Sequence, residues 1–174
     1  MRKVFSIGAV IIFVIALFAF YFLEKNNSAD FEITFLDVGQ GDSALIEAPG
    51  GQNILIDGGP DKRVIRELAK ALPFWERKID LIVLTHSHAD HVTGLTGVLE
   101  RFQAGRVFYN GLEPETPVYE KFLKLARSRA ELWAVKDRQK IKIGPDCEME
   151  LIYPGDWSGE EDNLNNASLV SRPD

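Results

Sequence analysis

Three histidines and one aspartate within six consecutive residues could bind metal, and they include every histidine of the chain. They follow the apolar run 81–84 and read His-Ser-His-Ala-Asp-His over residues 86–91. Neutral imidazoles and carboxylates are the ligands that divalent first-row metals take. The pattern therefore predicts metal ligands at His86, His88, Asp90 and His91. Asp90 is also the residue on which we expect catalysis to depend.

The spacing predicts how these ligands are shared. Side chains two apart in an extended segment point the same way, so His86 and His88 are expected to hold one ion. Asp90 and His91, at the start of the following helix, are expected to face a second ion about 3.5–4 Å away. Histidine-rich ligation favours zinc, with manganese as the alternative. No histidine follows residue 91, so the number of bound ions, one or two, stays open. No residue can be named as the general acid.

Three further carboxylates precede the motif in turn-like sequences. Asp37 and Asp42 flank a glycine-rich turn, where a structural role and a substrate-loop role are equally supported. Asp57 stands before Gly58-Gly59, and we expect it to accept a proton from a ligand histidine and so fix the tautomer of that ring. Asp156, in a Pro-Gly-Asp-Trp sequence, is predicted to be an ordinary turn residue.

Short strands and amphipathic helices alternate around these positions. The pattern predicts strands at 31–36, 42–48, 52–57, 80–85, 105–109, 131–135, 138–142 and 147–153, with a hairpin turn at 49–51. Helices are predicted at 61–72, directly after the metal motif, and from a Thr116 cap and Pro117 to about residue 130. Strands that carry helices on both faces predict a layered α/β domain.

The amino terminus has the composition of a membrane span. Residues 4–23 carry no charge and would make about 30 Å of helix, enough to cross a hydrocarbon core. We predict an uncleaved anchor at 1–24, a linker at 25–30 and the α/β domain at 31–174, with a cleaved signal peptide as the alternative. Arg2 and Lys3 favour a cytoplasmic amino terminus, which predicts a single-pass cell-membrane protein with an extracytoplasmic domain.

Charge gives weaker information about partners. The formal net charge of −6 argues against a broadly basic nucleic-acid-binding surface. Basic side chains concentrate in residues 121–142, where a positive stripe near Trp133 and an ordinary solvated helix face are both open. The single Cys147 excludes an internal disulfide, and nothing in the sequence calls for an obligate protein partner.

Four segments in a fixed order resemble a known family. They are FLDVGQGDS at 35–43, ILIDGG at 54–59, LTHSHADH at 84–91 and NNASLV at 165–170. The same series is found in the metallo-β-lactamase-fold domain of the ComEC competence proteins and its stand-alone extracytoplasmic relatives. The resemblance implies an αββα sandwich, a metal-dependent hydrolase with a two-ion site, and a phosphodiester or nucleic-acid substrate. In DNA uptake the related domain is thought to degrade the strand that is not transported.

The chain departs from that family in three respects. The competence proteins often carry aspartate where this chain has His88, and one anchor replaces their multi-span channel. The family continues past the last motif to an aspartate that bridges the ions and a late histidine, whereas Val170 is followed here by Ser-Arg-Pro-Asp. A proline at 173 is not expected in a strand. The sequence therefore predicts a carboxy-terminally truncated domain with an incomplete second half.

Three functions follow as hypotheses. The first is a membrane-anchored phosphodiesterase or nuclease. The second is an inactive remnant or metal-binding module, and the third is a hydrolase of small lactams, lactones or thioesters.

Overall fold

The computed structural model describes residues 2–27, 31–112, 115–144, 147–152 and 168–173. Within them the chain forms four helices and nine strands. The helices are α1 (Arg2–Asn27), α2 (Arg63–Ala71), α3 (Ala89–Arg101) and α4 (Pro117–Arg129). The strands are β1 (Glu32–Phe35), β2 (Ala44–Glu47), β3 (Asn53–Ile56), β4 (Lys78–Val83), β5 (Gln103–Tyr109), β6 (Glu131–Ala134), β7 (Gln139–Lys142), β8 (Glu148–Ile152) and β9 (Val170–Pro173).

A six-stranded mixed sheet forms the centre of the domain, with strand order β1-β2-β3-β4-β5-β6. β1, β2 and β3 pair antiparallel, and β3 to β6 run parallel. The turn predicted at 49–51 joins β2 to β3, and Gly50 and Gly51 adopt positive φ angles there. Because β3 to β6 run parallel, their carboxyl ends lie along the same end of the sheet. The metal motif begins there, directly after β4.

The two faces of this sheet bury different partners. Leu55, Ile82 and Val107 pack with α2, α3 and α4 in one hydrophobic core. Ile54 and Leu81 face the other way and pack on a second sheet, β7-β8-β9. Successive strand residues point to opposite faces, so strands that are buried on both sides read as continuous apolar runs. The buried strand predicted at 80–85 is confirmed, with its bounds shifted toward the amino terminus.

Two expectations from the sequence pattern are wrong in the described residues. The strands of the central sheet carry helices on one face only, because the second sheet covers the other. Two sheets packed face to face are what the αββα sandwich implied by the resemblance requires. Pro173 does lie in a strand: it ends β9, an edge strand that pairs with β8 alone, and an edge tolerates proline. Of the two alternatives left open for the basic residues of 121–142, a continuous stripe is the less favoured, because α4 and β7 lie on opposite sides of the central sheet.

Helix α4 begins at the cap that the sequence predicts. Thr116 caps α4 as predicted, its hydroxyl accepting a hydrogen bond from the backbone N–H of Tyr119 at 3.4 Å. The predicted turn at Asp156 and the sequence 165–167 lie outside the described residues.

The amino-terminal helix α1 is lined with exposed apolar side chains. In the part of the chain that the structure describes, no helix is both long enough and apolar enough to cross a membrane. Phe18 and Tyr21 of α1 contact Trp75, in the loop that joins α2 to β4, with ring centroids 6.3 and 5.4 Å apart.

Candidate metal centre

The metal motif occupies the loop between β4 and α3 and the first turn of that helix. His86 is 5% exposed. His88 takes the N-cap position of α3 with an extended backbone, and Asp90 lies in the first turn. The unpaired N–H groups and dipole of a helix start favour negative charge. The carboxyl group of Asp90 lies at this helix start.

The three imidazoles lie side by side at this edge. The ring of His86 is 4.8 Å from that of His88 and 4.0 Å from that of His91, measured between centroids. Asp90 Oδ2 lies 4.0 Å from His91 Nε2. Among the described residues, no three His, Cys, Asp or Glu side chains are grouped so that they could hold a metal ion. The structure thus shows neighbouring pairs of ligand-type side chains and no complete coordination sphere.

Asp57 is the centre of a hydrogen-bond network beneath the histidines. Its side chain is buried, and Oδ1 accepts the backbone N–H of Thr85 at 2.8 Å. Oδ2 accepts the Thr85 hydroxyl at 2.6 Å and lies 2.8 Å from His91 Nδ1. An ionised carboxylate can only accept, so His91 donates from Nδ1. This is the contact by which the sequence analysis expected Asp57 to fix a histidine tautomer.

The same network sets the tautomer of His86. Thr85 has one hydroxyl proton, and that proton goes to Asp57. Its oxygen, 2.9 Å from His86 Nδ1, must therefore accept a hydrogen bond from an N–H at that nitrogen. Both His86 and His91 consequently carry hydrogen on Nδ1 and a lone pair on Nε2.

The free lone pair of His86 is the observation that fits a metal. His86 Nε2 is buried and has no hydrogen-bond partner among the residues that the structure describes. An unsatisfied buried polar atom costs about 1–3 kcal/mol, and a cation that accepts the lone pair would remove that cost. A second-layer carboxylate that orients a ligand histidine is also the usual arrangement of protein metal sites.

Burial and charge act in opposite directions on the two inner histidines. Burial lowers the pKa of His86, and the neighbouring His91 adds to that effect. Burial also opposes protonation of His91, but the hydrogen bond to Asp57 and the charges of Asp57 and Asp90 outweigh it and raise the pKa of His91. Without a metal, a proton therefore binds more readily at His91 than at His86.

Close backbone packing holds the Asp57 turn against α3. Asp57 itself has a φ of +56°, a left-handed conformation that aspartate tolerates better than most residues. Gly58 N–H donates to the His91 carbonyl at 2.8 Å, and Gly94 N–H donates to the Gly59 carbonyl at 3.0 Å. A Cβ on Gly94 would lie 1.8 Å from the Gly58 oxygen. The glycines thus let the turn approach the helix that carries Asp90 and His91.

A cleft of about 370 Å³ opens over this network. Asp57, Thr85, His86 and His91 form its floor, and Asp42 also lines it. Asp37 is exposed and is not among the residues that line the cleft. The structure therefore brings Asp42 to the candidate site and leaves Asp37 outside it.

Three polar residues that line the cleft were not identified from the sequence. Thr85 was predicted only as the last residue of a strand, although its position directly before His86 could have indicated a place in the site. Ser43 donates its hydroxyl to the Asp57 carbonyl at 3.0 Å. Ser168 lines the cleft, and its neighbour Leu169 donates its N–H to the Thr85 carbonyl at 3.0 Å. These contacts join positions distant in sequence, so spacing alone could not reveal them.

Comparison with protein-family models identifies the family of this chain. The model of the metallo-beta-lactamase superfamily matches residues 36–161, which include the metal motif and the Asp57 turn. This chain belongs to the metallo-beta-lactamase superfamily. Members of this superfamily are metal-dependent hydrolases, and the predicted family and α/β class are confirmed at that level.

Two curated proteins resemble parts of this superfamily member. Ribonuclease Z of Clostridium acetobutylicum is 46% identical over 59 residues, covering 33% of this chain and 18% of that protein. Microtubule-associated protein 1A of Rattus norvegicus is 41% identical over 68 residues, covering 36% of this chain and 2% of that protein. The matched segments are thus small fractions of both relatives.

Solved structures show the same fold at low identity. The metallo-beta-lactamase fold protein YhfI of Bacillus subtilis has a TM-score of 0.58 and 16% identity, covering 83% of this chain and 57% of that one. A chemotaxis sensor, ODP, solved as a peroxy diiron species, has a TM-score of 0.50 and 22% identity, covering 72% of this chain and 50% of that one. The chain spans about half the length of these two structures.

Proposed function

We propose that this chain is a metal-dependent hydrolase whose ions are held by the motif at 86–91. The observation that carries the proposal is the buried, unpartnered Nε2 of His86, which a metal would use. His86 and His88 would hold one ion, and Asp90 and His91 a second. Zinc suits this histidine-rich set, with manganese as the alternative. A bound divalent ion would polarise the scissile group and lower the pKa of an attacking water.

The other residues of the cleft prepare that chemistry. Asp57 accepts a hydrogen bond from Nδ1 of His91, and Thr85 accepts one from Nδ1 of His86. The Nε2 atom of each ring therefore keeps a free lone pair. The first turn of α3 places Asp90 beside His91. Asp42 adds negative charge at the wall of the cleft, which would raise the local concentration of cations.

We propose phosphodiester bonds, most simply those of nucleic acid, as the substrate class. Two observations support this choice. The four motifs resemble those of the ComEC-related domains, and ribonuclease Z is similar over the 59 matched residues. The net charge of −6 argues that binding relies on the metal cleft rather than on a broad basic surface.

A second candidate is a metal-binding module without catalysis. The specific observation in its favour is that the motif supplies four ligand-type side chains and that no histidine follows residue 91 to complete a two-ion site. Such a module would bind metal through His86 and its neighbours and turn over no substrate.

For location, we propose that the helix over residues 4–23 anchors the chain as a single-pass membrane protein. The uncharged run of residues and the basic Arg2 and Lys3 before it support an extracytoplasmic α/β domain. Flotation of the full chain with vesicles, resistant to carbonate and high salt, tests this part separately.

One set of measurements separates the functional hypotheses. The full chain is purified in detergent, its bound metal per chain is measured, and single-stranded DNA, a lactam, a lactone and a thioester are offered with added zinc or manganese. We expect at least one ion per chain and DNA cleavage that is lost in D90A. Metal binding without turnover would favour the module, turnover of a small substrate alone would replace the phosphodiesterase proposal, and less than one ion per chain would refute metal dependence.

A further inference from the structure

An aromatic cluster joins α1 to the loop that precedes β4. Trp75 lies against Phe18 and Tyr21 of α1, and Phe74 meets Trp75 edge-on with ring centroids 4.7 Å apart. Phe18 and Tyr21 are three residues apart and therefore share one face of the helix. We call Phe18, Tyr21, Phe74 and Trp75 the aromatic cluster.

The outer members of this cluster are open to solvent. Phe74 is 81% exposed and Trp75 is 43% exposed. A group of large exposed aromatic side chains is uncommon on a surface that meets only water, and such a patch usually marks an interaction site. The adjoining α1 side chains are exposed and apolar too, so the aromatic loop continues the apolar surface of the helix.

The position of the cluster along α1 matches the depth of a membrane interface. If residues 4–23 lie in the hydrocarbon, Tyr21 is about 3 Å and Phe18 about 7–8 Å inside the end of the span, at 1.5 Å per residue. Tryptophan and tyrosine are enriched at that level of a bilayer, where an apolar ring can stay near polar headgroups. Trp75, held against both residues, would lie at the same level.

We infer that Phe74 and Trp75 dock the α/β domain on the headgroup region of the bilayer that α1 enters. This inference rests on the proposed membrane anchoring, and the partner is the lipid surface itself. Charge contributes little, because the loop after Trp75 carries one acidic and one basic side chain, Glu76 and Arg77. The nearby Lys70 and Lys78 pair with Glu67 and Asp80. Docking should therefore occur on zwitterionic lipid.

The docking fixes the direction in which the metal cleft opens. The aromatic loop precedes β4, and the metal motif follows its other end. The six residues of β4 span about 17–20 Å at 3.3 Å per residue. The cleft is thus held away from the lipid and faces soluble substrates.

The test uses the full chain in phosphatidylcholine vesicles with and without acyl chains brominated near the headgroup. Trp133 is the matched control, because it is 52% exposed on β6 and belongs to a different part of the surface. The double variant W133F/W157F reports Trp75, and W75F/W157F reports Trp133. We expect brominated lipid to quench Trp75 on the order of twofold, since interfacial tryptophan reaches the acyl region, and to leave Trp133 unquenched.

A second variant and flotation make the outcomes distinct. In the Trp75 reporter, Phe74→Ser should reduce the quenching without changing flotation or the melting temperature. A chain that floats with the vesicles but shows equal quenching of Trp75 and Trp133 would overturn the docking and leave the anchor intact. A chain that does not float would refute the anchor and the docking together.

Discussion

Replacing Asp57 with asparagine should weaken metal binding without disturbing the fold. Asparagine has nearly the same shape, and it tolerates the left-handed backbone that residue 57 adopts with φ +56°. Its remaining oxygen can still accept the Thr85 N–H. Alanine would be a poorer probe, because it would add backbone strain and lose every hydrogen bond at once.

The effect of D57N follows from proton positions. Oδ2 of Asp57 now faces two donors, the Thr85 hydroxyl and His91 Nδ1. An amide nitrogen in its place would face them with its own hydrogens. The simplest relief is for His91 to move its proton to Nε2, the atom that should bind the metal.

The magnitude can be estimated from the lost contact. A hydrogen bond to a charged group contributes about 1.5–3 kcal/mol, and each 1.4 kcal/mol changes an equilibrium constant about tenfold. D57N should therefore weaken zinc binding by about 10–100-fold, which is the range usual for partners of ligand histidines.

Zinc titration against a competing chromophoric chelator measures this change. D42N is the matched control, because Asp42 lines the same cleft and its replacement removes a charge while leaving His91 bonded to Asp57. An exposed charge contributes about 0–1 kcal/mol, so D42N should change affinity by less than about fivefold. Equal losses in D57N and D42N would show that net charge, not the tautomer, controls affinity, and unchanged affinity in D57N would refute the reasoning.

Three further outcomes are expected. D90A should abolish metal-dependent hydrolysis. Without metal, its free energy of unfolding should stay within about 0.5 kcal/mol of the wild-type value. Turnover at the wild-type rate would show that Asp90 takes no part in the mechanism. G94A, whose Cβ would lie 1.8 Å from a backbone oxygen, should lower the free energy of unfolding in denaturant by about 2–4 kcal/mol. G97A in the same helix meets only a movable side-chain end at 3.0 Å and should be nearly neutral; equal losses would contradict the close-packing argument. In the metal-free chain, NMR titration should place the pKa of His91 above 6.5. The stability that its Asp57 partner contributes is then fully present below pH 6.5 and lost as pH rises through that raised pKa. A pKa at or below 6.5 would contradict this.

Local features of the chain were predictable because their causes are local. The Thr116 cap, the glycine turn at 49–51 and the apolar strand before the histidines each follow from a few adjacent residues. Asp57 could be proposed as a partner of the histidines because it follows the end of a predicted strand, and the structure pairs that strand with β4.

The remaining features depend on which surfaces meet. An apolar strand looks the same whether a helix or another sheet covers it, so periodicity predicted helices on both faces, and only the family resemblance implied the second sheet. Pro173 looked incompatible with a strand because the sequence does not reveal an edge. The part played by Thr85 depends on one hydroxyl proton shared between two distant segments, and no periodicity records that.

The hydrogen bond from Leu169 to Thr85 has a consequence for how the protein matures. During synthesis the histidines leave the ribosome well before the segment that closes the cleft beside them. Until that late segment arrives, the metal loop lacks one wall and stays open to solvent and to stray thiol or chelating molecules. Metal loading would thus be most selective once the late segment has folded onto the metal loop, because only then do the early ligands and the late wall belong to one surface.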